Sequence, residues 1–537
     1  MALTVAFIGA GSVGFTRKLI RDLLSVPEFA DTHFALHDID EGNLDRVAQI
    51  VQRDIDGNDL PTTTSKHLDR KPALEGADYV INTTRIGGLE AFETDIEVPL
   101  KYGVDQCVGD TLAPGGIMYG QRNIPQILDF QRDMKAVAAD DCLFLNYANP
   151  MAMNTWAALD ARDRGEGVET IGLCHGVEGG WRQIAAVLAK LHGDEDELKV
   201  PDEPRTWLDR NPHHKLVDVI CAGINHQTWY VKVVYKGRPV EADELLEAFE
   251  NHDKIHAKEK VRVDVLRRFG CYSTESNGHL SEYVPWYRKR PNEINDWIDL
   301  SAWIHGETGG YLRVCREGRG WFKTDFPKWL EEAGGPIDPT RRSSEHGSWI
   351  IEAIETGRPY RGHFNVRNHG VISNLPDDCV VEAPGWVDRF GINMVNGLEL
   401  SQACAATCRA SIDVQRMSKD AAVAGDVTML KRAMLHDPLT AAVLNPEEVW
   451  QLTDEMLVAG AEWLPQYWRR GEIDLARHRL AEHERDGTRV RTTDWAGAAR
   501  VEERSVEQLR AEKEASVLDA DKAAAARSKV EAPPARG

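Results

Sequence analysis

The stretch LTVAFIGAGSVGF at residues 3–15 decides the fold of the first part of the chain. It is a short apolar, β-prone run that ends in the pattern G-x-G-x-x-G, formed by Gly9, Gly11 and Gly14. The next segment, TRKLIRDLLSV, has apolar residues at helical spacing, so the glycines lie between a predicted strand and a predicted helix. Gly9 suits a tight turn, Gly11 allows a pyrophosphate close to the backbone, and Gly14 allows the helix to pack on the strand. The helix N-terminus would then face the phosphates of a dinucleotide.

A second predicted strand, HFALHDID at residues 33–40, ends in acidic residues. Asp38 follows the glycine motif by roughly the interval at which a carboxylate binds the ribose 2′-hydroxyl of NAD. This arrangement favours NAD over NADP. The alternative is an acidic loop on an α/β domain that binds no nucleotide.

Three more buried-type strands follow, separated by helical segments such as IPQILDFQRDMKAVAA. They are ADYVINTTRIGG (77–88), CLFLNYANP (142–150) and ETIGLCHGV (169–177). Strands that alternate with helices predict an α/β fold with a Rossmann-like, doubly wound parallel sheet, which binds ligands at the carboxyl ends of its strands.

Polar side chains follow each of these predicted strands. Asn82 and Thr83 end the first and are candidates for binding the dinucleotide. Asn149, Cys174 and His175 come directly after the other two, where site residues are expected.

The chain is predicted to have three parts. Residues 1–200 form the NAD-binding domain, and residues 201–475 form an α+β domain that closes over it and binds substrate and metal. Residues 476–537 are charged, rich in alanine and poor in large apolar side chains, so we expect a partly helical or disordered tail, solvated or packed on a neighbouring subunit.

The composition of the chain argues against several classes of function. Of 537 residues, 42% are hydrophobic and 28% charged, and the formal net charge of −22 argues against nucleic-acid binding. Nine irregularly spaced cysteines indicate free thiols in a reducing compartment. The apolar start lacks the basic region of a signal peptide, and no run of about eighteen apolar residues predicts a membrane span. We expect a cytoplasmic protein that binds neither nucleic acid nor membrane.

A cysteine and a histidine from distant segments raise the question of a metal. Cys174 has His175 as its neighbour, and AGINHQTWY (222–230) places His226 between two strand-like runs. One thiolate and one imidazole make a site for a divalent transition metal, with positions left for substrate oxygens. From spacing alone, structural roles for both residues are the alternative.

Eight blocks along the chain appear together and in a fixed order. They are FIGAGSVGF, DTLAPGGIMYGQRNIP, NYANPMAMNTWA, GLCHGV, GINHQTWY, TESNGHLSEYVPW, NVRNHGVISNLPDDCVVEAPGWVDRFGI and LHDPLTAAV. From about residue 4 to about residue 470 the chain therefore resembles glycoside hydrolase family four, the NAD- and manganese-dependent glycosidases. The resemblance is strongest to the α-galactosidase (melibiase) and α-glucosidase branch.

The resemblance implies a chemistry that departs from the usual pair of carboxylates in glycosidases. In this family NAD oxidises the C3 hydroxyl of the sugar, and a bound metal polarises the resulting carbonyl. A base then removes the C2 proton, the glycosidic oxygen leaves, water adds, and the retained NADH reduces C3. The implied cofactors are NAD and Mn²⁺ or another divalent transition metal, and the substrate is a small oligosaccharide or α-glycoside.

The resemblance also assigns roles. Cys174 and His226 match the metal ligands of the family. His175 matches the general acid that protonates the leaving oxygen, and a histidine there points to a non-phosphorylated sugar. Asn149 matches an asparagine that hydrogen-bonds the sugar hydroxyls near C2 and C3. Asp110 lies in a loop near the metal, where it could orient a metal-bound water or act only as a cap.

The resemblance leaves the base less defined. Relatives use a tyrosine or an aspartate in the segment matching TESNGHLSEYVPW, where His279 stands opposite that tyrosine. Glu275, Glu282 and Tyr283 are close by. His279 is favoured because a neutral imidazole can accept a proton near pH 7, whereas Glu275 and Tyr283 are also candidates for contacts with the C4 or C6 groups of the sugar.

The resemblance defines the identity of the substrate sugar even less than that of the base. CHG at residues 174–176 resembles α-glucosidases and α-glucuronidases, whereas the wider blocks resemble the melibiase. The prediction is an α-galactosidase or α-glucosidase, with an α-glucuronidase as the alternative. A uronide needs a cation at C6, for which Arg122, Arg288 and Arg290 are candidates, although we expect Arg288 and Arg290 to be surface arginines.

Two other functional classes are alternatives to a glycosidase. A NAD-dependent sugar dehydrogenase would release NADH, and a nucleotide-sensing protein without enzyme activity would tolerate loss of Cys174. The resemblance further implies a homodimer or homotetramer.

Overall fold

A computed structural model describes residues 3–300, 306–490, 492 and 497–511. It contains a 13-stranded sheet. The strands, in chain order, are β1 (Thr4–Ile8), β2 (His33–His37), β3 (Thr63–His67), β4 (Tyr79–Asn82), β5 (Leu143–Asn146), β6 (Glu169–Gly172), β7 (Val217–Ile224), β8 (Gln227–Tyr235), β9 (Arg238–Pro239), β10 (Tyr272–Ser273), β11 (Tyr360–Arg367), β12 (Val380–Asp388) and β13 (Gly391–Met394).

Helices follow most of the strands. In chain order they are α1 (Val13–Leu24), α2 (Glu41–Asp56), α3 (Arg70–Leu74), α4 (Gly88–Lys101), α5 (Ala113–Val137), α6 (Met151–Asp163), α7 (Gly176–His192), α8 (Trp207–Arg210), α9 (His213–Leu216), α10 (Ala242–Glu250), α11 (Asp253–Lys258), α12 (Lys260–Phe269), α13 (Asn277–Tyr283), α14 (Ile294–Trp297), α15 (Gly310–Glu317), α16 (Trp321–Thr324), α17 (Phe326–Glu332), α18 (His346–Thr356), α19 (Gln402–Ala424), α20 (Val427–His436), α21 (Pro438–Val443), α22 (Pro446–Ala459), α23 (Pro465–Trp468) and α24 (Glu472–Asp486).

The first six strands confirm the predicted Rossmann-like sheet. They are parallel and lie in the order β3-β2-β1-β4-β5-β6, which is the doubly wound order that binds dinucleotides where the strand order reverses. The strands of the second part extend the same sheet beyond β6 in the order β11, β12, β7, β8 and β10, with antiparallel pairing. The predicted domain boundaries at residues 200 and 475 stay predictions.

Apolar cores cover both faces of β1. In β1, Val5 and Phe7 belong to one core and Ala6 and Ile8 to another. Because successive side chains of a strand point to opposite faces, a strand buried on both sides is apolar throughout. This explains why the opening stretch has no polar alternation.

Part of the predicted tail packs on its own chain. The N–H of Thr308 donates to the carbonyl of Ala499 at 3.0 Å, and Ala499 is fully buried. Ala499 therefore packs on its own chain, whereas most of residues 500–511 are exposed, and for them the expectation of a solvated or subunit-packed tail stays a prediction. Residues 491, 493–496 and 512–537 of the predicted tail lie outside the described residues.

Two expectations drawn from composition concern thiols and membranes. All nine cysteines are free, as their irregular spacing predicts. Within the described part of the chain, no helix combines the length and apolar character that crossing a bilayer requires.

Candidate active site

A cavity of about 490 Å³ opens at the carboxyl edge of the parallel strands. The polar side chains in its lining come from distant segments of the chain. Seven of the predicted site residues are among them: Asp110, Asn149, Cys174, His175, His226, Glu275 and His279. The fold thus assembles one site from residues that the sequence indicated separately.

Strand ends and one tight turn place these side chains. Asn149 follows β5, and Cys174 and His175 follow β6, directly before α7. His226 lies in the turn between β7 and β8 with φ of 64°. A residue other than glycine in this left-handed region costs about 1–3 kcal/mol, a strain that clusters at functional sites. The strained turn of the β7–β8 hairpin places the imidazole of His226 at the cavity.

Asp110 is the centre of a buried hydrogen-bond network. Its Oδ1 accepts from the hydroxyl of Thr111 at 2.9 Å and from that of Tyr283 at 3.0 Å. Its Oδ2 accepts from the amide of Asn149 at 2.7 Å. Burial alone would raise the pKa of Asp110, but the neighbouring His279 and His226 outweigh it and hold the pKa below its usual value. Asp110 is therefore an ionised acceptor that fixes the Asn149 side chain.

The same network fixes the tautomer of His226. Its Nδ1 lies 2.6 Å from the hydroxyl oxygen of Thr111. A threonine hydroxyl has one proton, which Thr111 gives to Asp110, so Thr111 must accept the Nδ1 proton of His226. The Nε2 of His226 then carries the lone pair, 3.9 Å from Oε1 of Glu275. Metal-binding histidines are oriented in this way.

Two overlapping groups of side chains could hold a cation. Within each group the candidate ligand atoms lie within 4.8 Å of one another; the groups are Cys174, His226 and Glu275, and Asp110, His226 and His279. Asp110 lies 4.0 Å from the Nδ1 of His226, the nitrogen that already donates to Thr111. The first group uses thiolate, imidazole and carboxylate, a donor set that suits a divalent transition metal.

The Cys174 thiol is partly buried beside the start of α7. The N–H of Gly176 donates to its sulphur at 3.4 Å. Burial and the adjacent Glu275 carboxylate raise the pKa of the thiol well above its usual value. A bound divalent cation reverses this balance, because a coordinating thiol loses its proton.

His175 lies at the mouth of the cavity, where its side chain is 64% exposed. Its Nδ1 is 3.8 Å from Oε1 of Glu345, which also accepts from the ammonium of Lys18 at 3.0 Å. A carboxylate at this distance can orient the imidazole. Glu345 was not found from the sequence, because nothing in RRSSEHGSW connects it with a residue so far away along the chain.

His279 faces the cavity from α13. Its Nδ1 lies 2.8 Å from Oγ of Ser276 and 3.5 Å from Oε2 of Glu275. A carboxylate beside Nδ1 favours a proton on that nitrogen, which leaves the lone pair on Nε2. Nε2 lies 4.0 Å from Oδ1 of Asp110 and is placed to accept a proton within the cavity.

Glu282 and Tyr283 support the site from behind. Glu282 is fully buried and accepts from three backbone N–H groups, those of residues 107, 108 and 109, at 2.6, 2.8 and 2.8 Å. Tyr283 is also fully buried, and its hydroxyl donates a hydrogen bond to Asp110. Both side chains hold the loop that leads into Asp110 rather than face the cavity.

The glycine turn after β1 is built around Asp38. Gly9 has φ of 87° and lies against the backbone of residues 83 and 84, as a tight turn requires. The N–H of Gly11 donates to Oδ2 of Asp38 at 2.7 Å, and a Cβ at Gly11 would lie 2.7 Å from the same oxygen. The packing role expected for Gly14 is wrong, because a Cβ there would meet open space; Gly14 lies in the first, outward-facing turn of α1.

Asn82 and Thr83 complete this turn from the next strand. The amide of fully buried Asn82 donates to Asn146 at 2.8 Å and accepts from the hydroxyl of Thr84 at 2.9 Å. The hydroxyl of Thr83 donates to the carbonyl of Gly9 at 3.1 Å. Both side chains stabilise, through these hydrogen bonds, the loops that would face a dinucleotide, and Asn82 does so as a fully buried residue.

Arg85 was also missed by the sequence reasoning. Its guanidinium carbon lies 4.3 Å from the ring centroid of Phe92, 4.9 Å from Tyr119 and 5.4 Å from Tyr311, and Tyr311 lines the cavity. In the part of the chain that the structure describes, no carboxylate accepts a hydrogen bond from it. A basic residue directly after a strand end could have signalled Arg85, whereas Tyr311, inside a helix, gave no signal.

The three arginines considered for a uronide carboxylate do not face the cavity. Arg122 is buried against Asp95 at 2.8 Å, and Arg290 pairs with Glu293 at 2.9 Å on the surface, as expected. The surface position expected for Arg288 is wrong: its side chain is 0% exposed and donates to the carbonyls of residues 105 and 306. It serves to join two loops.

Comparison with known proteins identifies relatives of the chain over nearly its whole length. The model for "Family 4 glycosyl hydrolase" matches residues 4–190, and that for "Family 4 glycosyl hydrolase C-terminal domain" matches residues 221–440. The chain is 57% identical to an alpha-galactosidase of Rhizobium meliloti (strain 1021) over 516 residues, 96% of this chain and 99% of the relative. It is 32% identical to an alpha-galactosidase of Bacillus subtilis (strain 168), with 86% and 99% covered.

A solved structure shares the fold. It is the 6-phospho-beta glucosidase of Thermotoga maritima with manganese, NAD+ and glucose-6-phosphate, which matches with a TM-score of 0.64 and 22% identity. The match covers 86% of this chain and 99% of that chain.

Proposed function

The chain belongs to family 4 of the glycosyl hydrolases, and on that premise we propose that it is an α-galactosidase that needs NAD and a divalent metal. The observation that carries the proposal is the meeting of the Cys174 sulphur and the His226 Nε2 in one cavity with the Asp110–Asn149 pair. A plain dehydrogenase site does not need this thiol. The non-phosphorylated substrate follows from His175 and from the relatives named alpha-galactosidase.

The residues present fit both cofactors. Gly9, Gly11 and Asp38 would hold NAD, and Cys174 and His226 would hold Mn²⁺ or a related ion. A solved structure that shares the fold contains manganese and NAD+. When bound, NAD takes a hydride from a sugar carbon and the cation stabilises negative charge on the neighbouring oxygen.

The chain's own residues position the sugar and move protons. Asn149, held by Asp110, would hydrogen-bond the hydroxyls near C2 and C3. His279 would accept the C2 proton at Nε2, and His175 would donate a proton to the departing glycosidic oxygen. Glu345, 3.8 Å from the Nδ1 of His175, would orient that imidazole.

The choice of sugar is the finer part of the proposal. Relatives at 57% and 32% identity bear the name alpha-galactosidase, which favours a galactoside over a glucoside. A uronide would need an unengaged cation at C6. Arg122 and Arg288 are both paired with buried carboxylates, whereas Arg85 beside Tyr311 has no such partner among the described residues, so the ranking rests on the names of the relatives. We therefore rank the α-glucuronidase alternative below the galactosidase.

Further parts of the proposal concern context. We infer a cytoplasmic homodimer or homotetramer, with a NAD-binding part up to residue 200 and a substrate- and metal-binding part up to residue 475. Size-exclusion chromatography with light scattering, and limited proteolysis at the two boundaries, would test these points.

A substrate panel tests the proposed function directly. Purified protein is assayed on nitrophenyl α-galactoside, α-glucoside and α-glucuronide with NAD, Mn²⁺ and a reductant. We expect fastest hydrolysis of the galactoside, no net NADH, and loss of activity on adding a chelator or stripping NAD. Activity that survives both treatments would contradict the mechanism, and stoichiometric NADH release would indicate a dehydrogenase.

Asp38→Asn is expected to weaken NAD binding about tenfold or more, because a hydrogen bond to a charged group contributes about 1.5–3 kcal/mol. Both Asp38 oxygens already accept backbone N–H groups, those of Gly11 and Asp40, and an amide can accept with only one oxygen. Fluorescence titration with NADH measures the change. The control is Asp40→Asn, since asparagine caps α2 as well as aspartate does.

Thr111→Val is expected to lower Mn²⁺ affinity about 10–100-fold, the usual cost of losing a partner that orients a metal ligand. The change removes the acceptor that holds the Nδ1 proton of His226. Thr111→Ser retains the hydroxyl and should bind Mn²⁺ like the wild type. Calorimetric titration checks both, and equal affinities for the two variants would show that the hydroxyl does not set the tautomer.

A further inference from the structure

Gly176 and Glu275 occupy the same small space beside Cys174. A Cβ built on Gly176 would lie 1.9 Å from Oε1 of Glu275 and 2.9 Å from its Cδ. Heavy atoms cannot approach so closely, so any other residue at 176 would expel the carboxylate from this position. The glycine after the Cys–His pair therefore makes room for the Glu275 side chain.

The carboxylate that fills this space points at the two proposed metal ligands. Oε1 of Glu275 lies 3.8 Å from the sulphur of Cys174 and 3.9 Å from the Nε2 of His226. Two ligand atoms about 2.1 and 2.3 Å from a common ion can be no more than about 4.4 Å apart. Both distances fall below this limit without movement of the carboxylate.

We infer that Glu275 is a third protein ligand of the metal, which Gly176 admits to the site, rather than a contact for the sugar. The inference rests on the proposed function, which supplies the metal. Three protein ligands from β6, the β7–β8 turn and the segment before α13 leave coordination positions open for two sugar oxygens.

The second oxygen of Glu275 connects this ligand to the proposed base. Oε2 lies 3.5 Å from the Nδ1 of His279. If Oε1 binds the ion, Oε2 stays beside the His279 ring, whose Nδ1 has the hydroxyl of Ser276 as its hydrogen-bond partner at 2.8 Å. A single carboxylate then sets the distance between metal and base.

The other group of possible ligands is less suited to the ion. Asp110 already accepts from Thr111, Tyr283 and Asn149. Its approach to His226 is at the nitrogen whose proton Thr111 accepts. Glu275 meets His226 at the opposite nitrogen, which carries the lone pair.

Metal affinity, not activity, is the measurement that tests the inference. Full-length protein without NAD is titrated with Mn²⁺, and the free ion is followed by electron paramagnetic resonance. A parallel set is loaded with Co²⁺, whose visible spectrum reports coordination and whose sulphur charge-transfer band reports Cys174. The variants are Glu275→Gln, Gly176→Ala and the double variant, with NADH affinity and thermal stability recorded for each.

Glu275→Gln is expected to weaken Mn²⁺ binding at least 100-fold, since even a ligand's supporting partner is worth about 10–100-fold. Gly176→Ala should weaken binding by a similar factor, because it displaces the carboxylate without removing it. The double variant should lose no more than either single variant, since both act on one contact. The Co²⁺ spectrum should change in its visible bands and keep the sulphur band.

Three results would overturn the inference. Glu275→Gln that binds Mn²⁺ within threefold of the wild type and raises KM for the galactoside would make Glu275 a sugar contact. Additive losses of Mn²⁺ affinity in the double variant would show that Gly176 and Glu275 act independently. A larger loss of Mn²⁺ affinity in Asp110→Asn than in Glu275→Gln would favour the other ligand group. If Glu275→Gln does not fold, Gly176→Ala carries the test alone. The proposed function fails separately, on activity that needs no metal.

Discussion

Cys174→Ala is expected to lower kcat/KM for a nitrophenyl α-galactoside by at least about 10⁴-fold. Removal of the thiolate removes the softest of the candidate ligands and, with it, the bound cation. Stabilisation of transition-state charge by a metal is worth several kcal/mol, and about 5.5 kcal/mol corresponds to 10⁴ in rate. Assay of the purified variant, together with its manganese content by mass spectrometry, measures both effects.

The matched control is Cys142→Ala. Cys142 is buried, whereas Cys174 is only partly so, and it lies at the start of β5 in an apolar core. Its replacement should cost about 1 kcal/mol of stability and leave activity and manganese content within about twofold. A Cys174→Ala protein that retains a full equivalent of manganese while losing activity would show that the ion is bound elsewhere.

Local patterns were enough to predict five of the six parallel strands of the sheet and seven of the residues that line the cavity. The run from Leu3 to Phe15 shows its strand, its turn and its helix through period and glycine spacing alone. Polar residues after predicted strands, such as Asn149 and Cys174, fall at the carboxyl edge because parallel strands all end there. The topology of a parallel sheet therefore predicts where these residues lie without a three-dimensional structure.

Contacts between distant segments were not predictable in this way. The clash that requires glycine at 176 involves a carboxylate at 275, and neither residue shows it alone. Arg288 reads as a surface residue because Lys289 and Arg290 follow it, yet the fold buries it against Asp105. Asn82 ends a strand at the right edge, but its side chain turns inward to Asn146. Each outcome depends on which segment packs opposite, and a single sequence does not encode that pairing in any local pattern.

Asp110→Asn is expected to lower kcat about 10³-fold, with a smaller change in Mn²⁺ affinity. The carboxylate accepts three hydrogen bonds, two on Oδ1 from Thr111 and Tyr283 and one on Oδ2 from Asn149. An amide has one acceptor oxygen, so either the two hydroxyls or the Asn149 amide must face an N–H₂ group. A buried donor left unsatisfied costs about 1–3 kcal/mol, and the lost charge adds to this.

The alternative role of Asp110, a cap for its own loop, predicts a different result. A cap tolerates asparagine, so kcat within threefold of the wild type would support it. The exchange Asp110→Asn with Asn149→Asp separates the two roles further. It restores a donor and an acceptor between the two positions, and thermal stability should recover. Activity should not, because the amide that we assign to the sugar hydroxyls would then lie on the wrong side of the pair.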